Sequence, residues 1–174
     1  MNLQHLVFSA LGKDRPGIVE HLSRVILDCH GNIHESQMSI LGGEFALMLL
    51  ISGNEQTINT LQQRLPELEQ QLELTIVTKQ TNQTGDQEQK LVHVHVEAMD
   101  HPGIVHRVTE FFALKQFNIK SLETNTYPVA HTGTPMFSLE MELLAPCSNN
   151  TVSLQHEFED FCEQLGLDGE LADT

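Results

Sequence analysis

Basic residues are scarce in this sequence. Its 174 residues include 9 Lys and Arg against 24 Asp and Glu, which gives a formal net charge of −15. Nucleic acids and anionic membrane surfaces attract basic protein surfaces. We therefore expect this chain to contact neither nucleic acid nor membrane directly.

Cysteines and long apolar runs are equally few. Cys29, Cys147 and Cys162 are too scattered for a disulfide framework or a CxxC metal site, which favours reduced thiols in the cytoplasm. The longest apolar run, Phe45 to Ile51, has 7 residues, whereas a bilayer span needs about 20. No cationic segment precedes an apolar stretch at the N-terminus, so a cytoplasmic protein without a signal peptide is predicted.

Catalytic motifs are also missing, since the chain has no GxSxG, P-loop or dinucleotide fingerprint. His93 and His95 would point to one face of a predicted strand, but a metal site needs further ligands and none stands at a suitable spacing. The sequence therefore predicts no catalytic residue, no metal and no cofactor. A metal-dependent enzyme is kept as a distant alternative.

The chain repeats itself. Asp14-Arg15-Pro16-Gly17-Ile18-Val19 returns as Asp100-His101-Pro102-Gly103-Ile104-Val105, and Asn32-Ile33 returns as Asn118-Ile119, each at an offset of 86. Phe45 matches Phe137 at an offset of 92, so the second copy carries 92 − 86 = 6 extra residues, which we place in a loop over 128–135.

A polar segment separates the two copies. Residues 78–90 contain no apolar side chain, which is typical of a linker. We therefore predict one domain over residues 1–79, a linker over 80–90 and a second domain over 91–174. Residues 1–80 carry 5 basic and 9 acidic side chains (−4), and residues 91–174 carry 3 and 13 (−10), so the second domain is the acidic one.

Each copy has the pattern of strand, helix, strand, strand, helix, strand. Leu6, Phe8 and Ala10 alternate as on one face of a strand, and a helical stripe follows at Ile18 and Leu22. This order predicts an α+β fold of two ferredoxin-like βαββαβ domains, each an antiparallel sheet with two helices on one face. The other sheet face needs cover, or the edge strands need a partner. The two copies can supply this to each other within one chain, and pairing between chains of a homo-oligomer is equally compatible with the sequence.

Further residues predict where the elements begin and end. Gly42-Gly43 fits a tight hairpin, Gly31 suits the end of the first helix, and Pro66 suits a break in the second. The closing strand of the first copy is predicted over 72–77, and that of the second copy is expected to be short.

The start of the first helix is the strongest candidate site. Pro16 and Pro102 suit a first helical turn, and Asp14 and Asp100 could accept its free N–H groups. Such a helix end can hold a carboxylate, Gly17 lets a ligand approach the backbone, and Asp14 could attract an ammonium group. With the amide of Asn32, these groups suit a free amino acid. An ordinary capped helix start explains the same residues.

Both Asp-x-Pro-Gly-Ile-Val segments, each followed 16 residues after the proline by Asn-Ile, resemble ACT domains. The resemblance implies amino-acid binding by a regulatory protein that is not an enzyme. Two such domains without a catalytic or DNA-binding domain imply a glycine-responsive negative regulator of glycine cleavage operon transcription, which would act through a DNA-binding activator protein. The implied ligand-binding residues are Asp14, Pro16, Gly17, Ile18, Asn32 and Ile33 in the first copy, and Asp100, Gly103, Ile104 and Asn118 in the second. A protein-interaction module without a small-molecule ligand is the main alternative.

Overall fold

The structure is a computed structural model that describes residues 3–82, 90–145 and 151–173. The chain divides into two compact units, Met1–Gly85 (unit 1) and Asp86–Thr174 (unit 2). Unit 1 consists of β1 (Gln4–Lys13), α1 (Ile18–Asp28), β2 (Asn32–Leu41), β3 (Glu44–Gly53), α2 (Glu55–Leu72) and β4 (Leu74–Thr81). Unit 2 consists of β5 (Leu91–Met99), α3 (Ile104–Leu114), β6 (Asn118–Pro128), β7 (Pro135–Leu144), α4 (Thr151–Leu165) and β8 (Asp168–Asp173).

Each unit contains one four-stranded antiparallel sheet. The strand order is β2-β3-β1-β4 in unit 1 and β6-β7-β5-β8 in unit 2. The repeated βαββαβ order with this strand arrangement confirms the predicted α+β fold of two ferredoxin-like domains. Among the helices of the described residues, none combines the length and hydropathy that crossing a membrane requires.

The helices of each unit cover one face of its sheet. In unit 1 the alternating side chains of β1 and β3 form a single apolar core with the inward faces of α1 and α2, and unit 2 has an equivalent core. Side chains at the intervening strand positions lie on the other side of the sheet, because successive residues of a strand alternate between faces. We call this uncovered side the open face of each unit.

The C-terminal end of α1 differs from the prediction. The left-handed residue after the helix is His30 (φ 60°), not Gly31. His30 N donates to Leu27 O (2.8 Å) and Gly31 N donates to Ile26 O (2.9 Å), the hydrogen-bond pattern of a Schellman motif. Gly31 is needed for space, because a Cβ there would lie 3.0 Å from the Ile26 side chain.

Two other predicted boundaries are wrong. Pro66 lies inside α2 without ending it, because buried leucines on both sides of it, Leu61 and Leu68, hold the helix against the sheet. The closing strand of unit 1 begins at Leu74 instead of Leu72, after Glu73 ends α2 in a left-handed conformation. β8 has 6 residues against 8 in β4, so the second copy does close on the shorter strand.

The six-residue insertion lengthens the second hairpin. Asn32 pairs with Ser52, 20 residues later, whereas Asn118 pairs with Leu144, 26 residues later. Part of the insertion is strand rather than loop, since Pro128 pairs with Pro135. Of the predicted linker, residues 80 and 81 belong to β4, and residues 83–89 lie outside the described residues, as does Cys147.

Candidate functional site at the helix starts

The helix starts of the two units share one geometry. α1 begins after Gly17 (φ 93°) and α3 after Gly103 (φ 101°), and no side chain of the described residues caps either helix by a hydrogen bond. A Cβ on either glycine would meet nothing within 4 Å, so the left-handed backbone, and not lack of space, requires glycine here. Each helix therefore presents N–H groups of its first turn without a side-chain acceptor.

The aspartates and prolines sit differently from the prediction. Pro16 and Pro102 lie in the turn before the helix, since the first helical residues are Ile18 and Ile104. Asp14 does not cap the helix with its carboxylate, and the same holds for Asp100. Their backbone N–H groups instead donate to the neighbouring hairpins, Asp14 to Gly43 O (3.2 Å) and Asp100 to Pro135 O (3.0 Å). The two carboxylates are thereby left exposed beside the helix starts.

Other predicted site residues belong to the core. Ile18 and Ile104 are buried under their sheets, and Ile33 packs against the core of unit 1. A ligand at the helix start could therefore reach Ile18 and Ile104 only through their backbone N–H groups.

Asn32 lies at the other end of the sheet from Asp14. Asn32 of β2 and His5 of β1 both pair with Ser52 of β3, and His5 lies near the start of β1. Asp14 directly follows the end of β1. From His5 to Lys13 the strand advances by about 26 Å at roughly 3.3 Å per residue. One unit therefore does not bring Asp14 and Asn32 into a single pocket, and the matched topology separates Asp100 from Asn118 in the same way.

A polar cluster surrounds Asn32 in unit 1. His34 Nε2 lies 2.6 Å from Ser52 Oγ and 3.5 Å from Asn32 Nδ2, and the His34 and His5 rings are 5.9 Å apart. His5 is only 8% exposed, and its buried Nε2 has no hydrogen-bond partner among the described residues. Sequence reasoning missed His5, because it occupies an ordinary alternating position of a strand.

Unit 2 lacks this cluster. At the offsets of 86 and 92, His5, His34 and Ser52 correspond to Leu91, Lys120 and Leu144. Lys120 Nζ instead lies 3.4 Å from a carboxylate oxygen of Glu142. The polar cluster is thus a property of the first copy alone.

The described residues contain no group of three or more His, Cys, Asp or Glu side chains that could hold a metal ion. His93 and His95 do share the open face of unit 2, as predicted for neighbouring alternate positions. Their neighbours are carboxylates: His95 Nδ1 lies 2.5 Å from Glu140 Oε1, and His93 Nδ1 lies 3.9 Å from Glu142 Oε1. Each imidazole thus lies beside a carboxylate of the adjacent strand β7.

The described cysteines are core residues. Cys29 and Cys162 are both buried. Burial, assisted by the nearby charge of Asp168, raises the pKa of the Cys162 thiol to about 11. At neutral pH this thiol remains protonated and is a poor nucleophile.

Comparison with known proteins agrees with this architecture. Residues 4–79 match the ACT domain family. The glycine cleavage system transcriptional repressor of Escherichia coli (strain K12) is 31% identical over 173 residues, which cover 98% of this chain and 91% of that protein. The chain belongs to the glycine cleavage system transcriptional repressor family.

Solved structures extend the likeness to both units. A crystal structure assigned as a glycine cleavage system transcriptional repressor is 32% identical, with a TM-score of 0.77 and coverage of 100% of this chain and 99% of that one. A protein of unknown function from Galdieria sulphuraria is 29% identical, with a TM-score of 0.78 and 99% coverage of both chains. The tandem arrangement of two ACT-type units is therefore shared with other proteins along the full chain.

Proposed function

We propose that this protein senses an amino acid, glycine in the first place, and represses transcription of the glycine cleavage operon through a DNA-binding activator protein. The observation that carries the proposal is the pair of helix starts at Gly17 and Gly103, which no side chain caps within residues 3–82, 90–145 and 151–173. The names of the related repressors support the regulatory role and the connection with glycine cleavage.

The chemistry of the helix start suits a zwitterion. The free N–H groups and the positive end of the helix dipole attract a carboxylate, and the exposed carboxylate of Asp14 attracts an ammonium group. Glycine carries both charges and has no side chain. The same reasoning applies to Gly103 and Asp100 in unit 2.

The route to transcription goes through a partner protein. A net charge of −15 disfavours direct contact with DNA phosphates. A ligand controls such a partner only if it favours one state of the protein over another. We therefore expect glycine to change the affinity for the activator.

Calorimetry on protein freed of carried-over ligand tests the sensor. We expect heat of binding with glycine, and less with acetate or methylamine, which carry one charge each. Asp14→Ala weakens binding, whereas Asp28→Ala, which removes the same charge from the opposite end of α1, leaves it unchanged. No binding at millimolar glycine would contradict the sensor. An equal loss with Asn32→Ala and Asp14→Ala would contradict a site at the helix start alone.

A pull-down of the activator with and without glycine tests the second half of the proposal. An amino-acid-dependent interaction supports it, whereas a glycine-independent interaction favours the protein-interaction module without a small-molecule ligand. A gel shift of operator DNA with this protein alone is expected to be negative.

A further inference from the structure

The open face of unit 1 is apolar although no helix covers it. Leu11 is 54% exposed, Met48 50% and Val77 63%. The three lie on the adjacent strands β1, β3 and β4, where Ser9 pairs with both Met48 and Val77. Exposed apolar patches of this kind mark interaction surfaces in soluble proteins.

Unit 2 carries charge at the same positions. The equivalents of Leu11, Met48 and Val77 are Glu97, Glu140 and Glu170, as the repeat offsets and the pairing of His95 with Glu170 show. The two units share topology and have equivalent cores, so these three positions differ on a common framework. The open face of unit 1 is therefore better suited to apolar association than that of unit 2.

Opposite charges flank the apolar patch of unit 1. Glu35 on the edge strand β2 and Lys79 on the other edge strand β4 lie in one row, since Glu35 pairs with Leu50, Leu50 with Val7, and Val7 with Lys79. Lys13 of β1 and Glu44 of β3 form a second row. In both rows the acidic residue lies on the side of β2 and the basic residue on the side of β4. Within the described part of the chain, none of these four exposed charges takes part in an ion pair.

We propose that the open face of unit 1 binds the same face of a second copy of this chain around a two-fold axis parallel to the strands. This rotation places each row opposite the same row of the partner and reverses the order of the strands, so that β2 faces the partner's β4. Glu35 then lies opposite the partner's Lys79, and Glu44 lies opposite the partner's Lys13. A two-fold axis in the sheet plane but perpendicular to the strands pairs none of these charges.

The size of the face is sufficient for a dimer. Four strands about 4.8 Å apart and about 33 Å long present roughly 600 Å² per copy, so two copies cover about 1,200 Å², the lower end of stable interfaces. Aligned packing of two sheets about 10 Å apart is a common arrangement. On unit 2, the same rotation would place Glu170 opposite the partner's Glu123, because both lie in the row of His95 and Glu140, and this like-charge contact disfavours association there.

The oligomeric state of the full chain tests the proposal. We expect sedimentation velocity across a concentration series to show a reversible monomer–dimer equilibrium. The variant L11E/M48E copies the residues of unit 2 into unit 1 and should raise the dimer Kd by about a hundredfold or more, because each side chain is buried twice per dimer. Leu27→Glu is the matched control, since Leu27 is 68% exposed on α1, on the helix side of the same sheet.

Charge reversal tests the orientation of the two-fold axis. Lys79→Glu should weaken the dimer about tenfold, since each dimer then contains two like-charge pairs with Glu35. Adding Glu35→Lys should restore the wild-type Kd within about threefold. All substituted positions are exposed, so circular dichroism should show unchanged folding.

Three results would overturn the proposal. They are a wild-type chain that stays monomeric at every concentration, a dimer that L11E/M48E does not weaken, and a charge reversal that the second substitution does not rescue. A dimer that Leu27→Glu weakens as strongly as L11E/M48E would also contradict it, because the interface would then involve the helix side.

Discussion

Leu11 and Glu97 occupy the same position in the two sheets, on the open face of a central strand. Leu11 is flanked by Ala46 and Thr75, and Glu97 by Ser138 and Asp168. Glu97 accepts a hydrogen bond from the hydroxyl of Tyr127 (3.0 Å). The duplicated units thus have equivalent apolar cores, whereas the exposed Leu11, Met48 and Val77 of unit 1 correspond to glutamates in unit 2.

Tyr127 offers a direct probe of the acidic face. The hydrogen bond to Glu97, together with partial desolvation and the carboxylate charge, raises the pKa of Tyr127 above 10. The chain has one Tyr and no Trp, so absorbance titration follows this residue alone. We expect a midpoint above 10 that Glu97→Gln lowers, whereas Glu110→Gln, an exposed change on α3, leaves it unchanged.

The same shift predicts the sign of a pH effect on stability. Because the folded-state pKa of Tyr127 lies above its unfolded value, its stabilising contribution is complete below pH 10 and is lost as the pH rises through the folded pKa. Urea unfolding of wild type and Glu97→Gln should therefore converge at strongly alkaline pH. A difference between the two proteins that grows with pH in this range would contradict the assignment.

Backbone conformation at the two ends of α1 predicts opposite mutational effects. Gly17→Ala places a Cβ on a left-handed residue (φ 93°) and should lower the free energy of unfolding by about 1–2 kcal/mol. His30→Gly relieves a left-handed residue at the other end (φ 60°) and should raise it by about 0.5 kcal/mol. Urea midpoints measure both changes, and a stabilising Gly17→Ala would show that the left-handed turn does not persist in solution.

His5 predicts a stabilising substitution. In the part of the chain that the structure describes, its buried Nε2 has no hydrogen-bond partner, and unit 2 has Leu91 at the equivalent position. Removing the unsatisfied polar atom with His5→Leu should raise the free energy of unfolding by about 1 kcal/mol. His106→Leu, an exposed change on α3, should alter it by less than about 0.5 kcal/mol. A loss of stability with His5→Leu would mean that the ring has a partner in solution.

Cys162 predicts slow thiol chemistry. Since burial raises the pKa of this thiol to about 11, iodoacetamide at pH 8 should modify Cys162 far more slowly in the native protein than in urea. Mass spectrometry resolved by residue separates Cys162 from the other two cysteines. Equal native and denatured rates at Cys162 would contradict its burial between α4, on which it lies, and β8.

The fold was predictable because its signals are local and occur twice. Alternation in β1, the helical stripe from Ile18 to Ile26 and the turn glycines at 42 and 43 each depend on neighbouring residues. The repeat supports the first two of these signals at an offset of 86. The helix boundaries were less predictable. Pro66 and His30 both contradict local preference, because packing of α2 and α1 on the sheet outweighs the cost at a single residue.

The candidate site was only partly predictable. The glycines at 17 and 103 are local requirements of a left-handed turn, so their importance was visible in the repeated motif. The capping role expected of Asp14 and Asp100 was wrong, because their backbone is tied to the hairpins at Gly43 and Pro135. A hydrogen bond between residues so distant in sequence leaves no local signal.

The amino-acid sequence by itself determined that this protein is two α+β units of one kind, and that its charge disfavours contact with DNA phosphates. Both properties follow from composition and short-range periodicity. Only the tertiary structure decided that Asp14 and Asn32 lie at opposite ends of a sheet, and that Leu11, Met48 and Val77 form one exposed patch. Strand register determines both, because it sets which distant residues become neighbours across a sheet.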